Sequence, residues 1–434
     1  MRAHKLINEA FGFALGTGIS RIFGFVREIM FAHLFGAGIL MDAFRVAFRI
    51  PNLLRDLLAE GTLTPAFLPV FSDYHTHYGK ATAAKFVSLI LGAMLVITGG
   101  ITIIGGVFAP LWVKLVAFGF TPEKSLLAVK LTRIMFPFLV FISIGALVMG
   151  ILNFFNHFFT TGAASCWFDI AIIGSGLLFY KKLGIQSIAY GALIGGALQL
   201  AYQLPFLAKD GYLTLPKFKF SKDVKKVLLL MLPISIGYGA SKINVIVNTL
   251  IASFLQDGAI SWLEYAFRLM WVPVGVIGVA LANVSLSFAS KELSKNNRQE
   301  FKRIIQLSLV YGALLSIGVA ILLYFLAIPL CKIIYQHGNF KALDTINTAG
   351  ALRAYCFGIP GLVMTKILAT GFYALKETKT PMWVSFITVA VNVCAAITLV
   401  KTLDFKGIAL AASISNLTNA IILGLMFKKK VVSC

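Results

Sequence analysis

The chain has 434 residues, of which 59% are hydrophobic and 13% charged, about half the charged share of an ordinary soluble domain. The apolar excess runs the whole length rather than sitting in one anchor, which points to a polytopic membrane protein and away from a soluble domain. The formal net charge of +22 then reads as cationic cytoplasmic loops rather than as nucleic-acid binding.

A spanning helix needs about 20 apolar residues. About twelve such runs follow in chain order: 8–34, 40–72, 86–114, 130–153, 163–180, 186–208, 224–254, 260–288, 304–332, 345–373, 382–401 and 407–427. The runs are continuous rather than alternating, which excludes a β-barrel. Arginines interrupt the first two and weaken them by hydropathy. Odd-to-even connections carry few cations: Lys124, Lys181, Lys182, Lys341 and Lys406. The N-terminus and the even-to-odd connections carry many, among them Arg2, Lys5, Lys80, Lys85, Lys217, Lys219, Lys222, Lys291, Lys295 and Lys376, with Lys428, Lys429 and Lys430 in the tail. This asymmetry fits twelve spans with both termini in the cytoplasm. The first helix is expected to be retained, because Arg21 and Arg27 interrupt what a cleaved signal peptide keeps apolar.

The second half echoes the first. "GTGISRI" (16–22) matches "GYGASKI" (237–243), "AFRIP" (47–51) matches "AFRLMWVP" (266–273), and "GALVMGILNFFNHFFTTGAASCW" (145–167) matches "GLVMTKILATGFYALKETKTPMW" (361–383). The basic segment 209–226 separates the two copies. The expected architecture is all-α: two six-helix bundles, 1–208 and 227–434, joined by a cytoplasmic linker. Six is even, so the pseudo-two-fold axis lies along the membrane normal, with a central cavity between the bundles.

Charge inside spans is concentrated. The first two hold Arg21, Arg27, Glu28, Asp42, Arg45, Arg49, Arg55, Asp56 and Glu60, and the eighth holds Glu264 and Arg268. A guanidinium at the bilayer centre costs about 2.5–3.5 kcal/mol on insertion scales. Arg21 and Glu28 share a helix face, and Asp42 and Arg45 are spaced to pair. The sequence offers Arg27, Arg55 and Arg268 no obvious local partner on their own face, which leaves tertiary partners open. Arg45 and Arg49 follow the short loop "GAG" and fit headgroup contact, although Arg49 fits a cavity equally. Arg27, Arg55 and Arg268 fit a cavity, and planar forked donors in a cavity suit a phosphate-bearing anion. Pro51 is expected to kink the second helix. Gly16, Gly18 and Gly24 fit close helix packing.

Other chemistry finds no support. His75 and His77 form H-x-H without further ligands, no cysteine pair has metal or redox spacing, and no P-loop, H-E-x-x-H or nucleophile elbow occurs. No cofactor, metal or enzymatic reaction is expected.

The stretches "SRIFGFVREIMFAHLFGAG" (20–38) and "DAFRVAFRIPNLLRDLLAEGTLTPAFLPVFSDY" (42–74) closely resemble the first two helices of the MurJ/MviN lipid II flippase family, within the superfamily of multidrug, oligosaccharidyl-lipid and polysaccharide exporters. "SWLEYAFRLMWVPVGVIGVAL" (261–281) and "GFYALKETKTP" (371–381) extend the likeness along the whole chain. The resemblance implies a flippase for undecaprenyl-diphosphate-linked disaccharide-pentapeptide in the bacterial inner membrane, with membrane lipids and cell-wall synthesis proteins as further partners. It assigns diphosphate binding to Arg21, Arg27, Arg55 and Arg268, and cavity or gating positions to Asp42 and Ser261; Glu28 and Arg49 join these as cavity candidates. Relatives commonly have fourteen helices, against about twelve here. Many also carry acids where this chain has Phe267 and Trp271. No Asp or Glu lies between Asp223 and Asp257, which argues against the acidic sodium site of some relatives. A polysaccharide-repeat lipid flippase and a non-transporting membrane scaffold are the alternatives.

Overall fold

The computed structural model describes the backbone of residues 2–60, 62–219, 221–295 and 297–433, and the side chains of these except 2–11, 59, 60, 233, 236–238, 240, 241 and 431–433. All regular structure among them is helical. The side chains of Arg2, Lys5 and Glu60, and Cys434, are outside the described residues.

Helix α1 (Arg2–Phe35) is followed by α2 (Ile39–Arg55), which passes into a π-helical turn, Asp56–Glu60. The α-helical pattern runs through Pro51 and changes only after Arg55. Helix α3 (Leu63–Val107) contains a break at Gly79, whose φ of 81° and ψ of 168° leave the helical region. After short α4 (Ala109–Val116), Thr121 caps α5 (Pro122–Met135) by accepting from the Lys124 amide at 3.4 Å, with Pro122 at a position where its missing N–H costs nothing. Helix α5 and α6 (Phe138–Phe154) meet at an angle of 41° around Pro137, which cannot donate to the ladder. Helices α7 (Phe158–Leu183) and α8 (Gln186–Asp210) follow, and Gly211 stops α8 in the left-handed conformation at φ 79°.

Beyond the linker come α9 (Lys222–Ser253), α10 (Ala259–Ser294), α11 (Arg298–Tyr335), α12 (Ala342–Cys356), α13 (Ile359–Ala374), α14 (Lys379–Leu403) and α15 (Phe405–Ser433). Helices α12 and α13 are bent by 45°. Each half thus contains one bent helix pair followed by two long helices, as the sequence repeat suggests.

Seven helical stretches among the described residues are long and apolar enough to cross a membrane, nine if each bent pair is one span. Helix α1 is not among them; it carries Arg21, Arg27 and Glu28. In α9, Lys242–Ser253 forms a shorter apolar helix among the described residues. The protein is a multi-span helical membrane protein.

Two compact units divide the chain: Met1–Phe35 with Ile39–Lys242, and Gly36–Gly38 with Ile243–Cys434. The division falls inside α9. In unit 1 an aromatic chain fills the core, with Phe44 between Phe31 and Phe48, and Phe48 against Phe138 and Phe168. Helices α1 and α7 touch backbone to backbone: a Cβ on Gly16 would meet the Phe159 carbonyl oxygen at 2.7 Å, and one on Gly162 the Phe13 carbonyl oxygen at 2.8 Å. Gly18 faces open space instead, so close packing explains Gly16 but not Gly18. In unit 2, Phe301, Leu368, Phe372, Val384, Leu423 and Phe427 form a buried cluster of α11, α13, α14 and α15.

Candidate functional site

Arg27 lies at the centre of a buried charge network in unit 1. Its Nη1 donates to Asp169 Oδ1 of α7 at 2.7 Å and its Nη2 to Glu28 Oε1 at 3.0 Å. The other Glu28 oxygen accepts from Arg45 Nη2 of α2 at 2.5 Å. The exposures are 9% for Arg27, 0% for Glu28, 8% for Arg45 and 6% for Asp169, so three helices are tied through charge that water barely reaches. One turn beyond Arg27, the Phe31 ring has both guanidinium carbons 5.6 Å from its centroid, a stabilising cation–π position. Gly24 leaves room for the carboxylate: a Cβ there would sit 3.3 Å from Asp169 Oδ2. Two guanidiniums and two carboxylates balance in formal charge, and the buried Nε of Arg27 has no hydrogen-bond partner. An anion that takes the terminal nitrogens of Arg27 competes with the carboxylates of Asp169 and Glu28.

Asp42 and Lys124 form a second buried pair, Nζ to Oδ2 at 2.8 Å, with the ammonium 4.4 Å from the Phe120 ring centroid. Lys124 reads as a loop cation in the sequence; in the structure it is a buried residue of α5.

The π-helical turn organises a third cluster. Asp56 is buried and bridges two cations, Arg55 Nη2 at 3.1 Å and Lys242 Nζ of α9 at 2.8 Å. The Leu57 carbonyl, in the wide turn, accepts from Thr62 Oγ1 at 2.7 Å and from Ser235 Oγ at 3.0 Å. Two residues of α9, two turns apart, thus hold the turn in place. The Arg55 and Lys242 side chains are 21% and 28% exposed, unlike the dry Arg27.

In unit 2, Arg268 of α10 is 3.9 Å from Glu264, one turn back, and its side chain is 44% exposed. Phe267 stacks on Trp271 with centroids 5.5 Å apart, and Lys366 of α13 places its ammonium 5.2 Å from the Trp271 ring. Ser261 is fully buried near the start of α10.

The structure gathers Arg27, Glu28 and Arg45 in one network and Asp42, Arg55 and Arg268 into separate clusters. Arg21 is exposed, Arg49 half-buried and Pro51 buried. His75 and His77 part company: His75 Nδ1 lies 2.5 Å from Tyr212 Oη, His77 2.8 Å from Asp73. Sequence reasoning missed Asp169, Lys242 and Lys366. Lys242 had a signal, since the repeat aligns "GYGASKI" with "GTGISRI" and so Lys242 with Arg21. Asp169 is the lone charge of its apolar run and Lys366 shares its run with Arg353 alone, a sufficient flag in themselves.

Charge held inside the spans of a polytopic helical bundle is what membrane transporters use to handle polar cargo. The chain belongs to the MurJ family: the family model described as "Lipid II flippase MurJ" matches residues 31–433. It is 36% identical over 435 residues to a probable lipid II flippase MurJ of Buchnera aphidicola subsp. Acyrthosiphon pisum, covering 99% of this chain and 85% of that one. It is 33% identical over 439 residues to the lipid II flippase MurJ of Burkholderia cenocepacia, covering 99% and 84%. A solved lipid II flippase MurJ in an inward closed conformation superposes with a TM-score of 0.85 at 30% identity, covering 96% of this chain and 87% of that one. An inward-facing multidrug MATE transporter superposes at 0.82 with 16% identity, covering 95% of each chain, a likeness of fold alone.

Proposed function

We propose that this protein translocates lipid II, the undecaprenyl-diphosphate-linked disaccharide-pentapeptide, from the cytoplasmic to the outer leaflet of the bacterial inner membrane by alternating access. In this reading the chain makes twelve spans in two six-helix bundles, with both termini in the cytoplasm. The observation that carries the proposal is the placement of partly exposed guanidiniums inside the spans of a MurJ-family chain: Arg55 in unit 1 and Arg268 in unit 2. Forked donors of this kind match diphosphate oxygens.

The roles divide by burial. Arg55 and Arg268 contact the diphosphate, and the exposed Arg21 attracts it. Arg27 is held by Asp169 and Glu28 and fixes α1 against α2 and α7; it becomes a ligand only when a carboxylate lets go. Asp42 neutralises Lys124, which keeps α5 docked on α2. The supporting experiment is rescue of a bacterium depleted of its own lipid II flippase. Growth on the wild-type chain, with loss of rescue for Arg55→Ala and Arg268→Ala at equal membrane expression, is the expected result. Failure of the wild-type chain despite good expression favours a scaffold.

A further inference from the structure

Lys366 plays no part in the reading above. It sits in α13, eight residues before the helix ends at Ala374, or about 12 Å along the axis. It is half-buried, and no carboxylate among the described residues pairs with it.

A lysine in a span ordinarily extends its stem so that the ammonium reaches the nearer water interface. This one runs the other way. Its Cδ passes α10 at Gly278, where a Cβ would come within 3.3 Å. Its Nζ ends 5.2 Å from the Trp271 ring, two turns nearer the start of α10. Side chains tilt toward the N-terminus of their helix, so α13 itself aims the residue away from Ala374. The ammonium is thus directed along α10 toward Trp271, and Arg268 is the neighbour of Trp271 on that face, three residues back. Phe267 covers the flank of the indole. A cation kept in apolar surroundings is costly unless a counter-ion meets it.

We propose that Lys366 and Arg268 form a phosphate seat on unit 2, with Trp271 as its floor. The ammonium acts as a point charge on one phosphate oxygen and the guanidinium fork takes the others. The ligand class is a lipid-borne phosphate or diphosphate. The seat rests on the proposed function for its preferred source, the diphosphate of lipid II; the other source with this chemistry is the headgroup of an anionic phospholipid.

The test is native mass spectrometry of the full chain in detergent, titrated with lipid II and separately with phosphatidylglycerol. For Lys366→Met the expected result is about tenfold weaker lipid II binding, restored by Lys366→Arg, with an unfolding temperature at or above that of the wild type. A lysine that only supports packing would instead lower that temperature in the methionine variant. Equal lipid II binding by wild type and Lys366→Met overturns the seat and leaves the proposed function standing. Lys366-dependent binding of phosphatidylglycerol, with no lipid II binding by the wild type, keeps the seat and overturns the proposed substrate. Should Lys366→Met not fold, Trp271→Leu removes the floor without removing charge, and undiminished lipid II binding by it overturns the seat.

Discussion

Lys124 donates to Asp42 at 2.8 Å across 82 residues of chain, and the same separation recurs in unit 2, where Trp262 Nε1 donates to Asp344 Oδ1 at 2.8 Å. In each half the contact ties the helix after the first loop to the first member of the bent pair. The geometry of the repeat is kept while its chemistry has changed from an ion pair to a neutral donor on a carboxylate.

That difference sets unequal costs. Lys124→Met takes the ammonium away from the buried Asp42 carboxylate and is expected to destabilise unit 1 by about 3–5 kcal/mol. Trp262→Phe leaves Asp344 its second donor, the Lys341 amide at 2.8 Å, and is expected to cost about 1–3 kcal/mol. Unfolding temperatures of the purified variants in detergent rank the two, and an equal or inverted order contradicts the assignment.

The Arg27–Asp169 pair is expected to behave as one unit. Arg27→Ala and Asp169→Ala each leave a buried charge, at about 3–5 kcal/mol apiece. The double variant removes both charges and costs less than the sum. A double-mutant cycle on unfolding free energy reads this coupling, and additivity would show that the 2.7 Å contact is energetically idle.

Two glycines two residues apart on α1, and so on nearly opposite faces, make a sharper contrast. Gly16→Ala drives a methyl group into the Phe159 carbonyl oxygen and the Ala163 amide and is expected to separate α1 from α7, with a clear loss in unfolding temperature. Gly18→Ala meets nothing within 4 Å and is expected to be neutral or to stabilise by about 0.4–1 kcal/mol.

Tyr212, in the segment after α8, is buried against Phe71 and Phe155, and its hydroxyl meets His75. Burial, then the charge of Asp210, raises the phenol above its ordinary value. A raised folded-state value favours the neutral phenol in the native state. Its contribution is therefore complete below about pH 10, the unfolded value, and is lost as pH rises through the folded value. Tyr212→Phe is expected to flatten stability against pH in that alkaline window, as read by unfolding temperature.

Much of the architecture is written in apolar run length, which needs only a count against bilayer thickness. The bends coincide with Pro137 and with Pro360 at the start of α13, a signal that run length does not use, and the repeat is readable in three matched segments. The partners of the buried charges are another matter. Arg27 and Asp169 are 142 residues apart, so no helical spacing connects them; only packing of α1 on α7, permitted by Gly16 and Gly162, does so. Glu28 adjoins Arg27 in sequence and projects about 100° away around the helix, yet both side chains are long enough to meet. The π-helical turn after Arg55 had no sequence signal that we recognise, although it places Asp56 between Arg55 and Lys242.

The most direct test is translocation itself. The purified wild-type chain is reconstituted into proteoliposomes carrying lipid II in both leaflets, and an impermeant enzyme outside labels only the lipid it can reach. Labelling is expected to pass beyond the outer-leaflet pool with the wild-type chain and to stop there with Arg55→Ala or Arg268→Ala. Labelling confined to the outer leaflet with correctly folded wild-type protein, or undiminished labelling with both variants, would contradict that expectation.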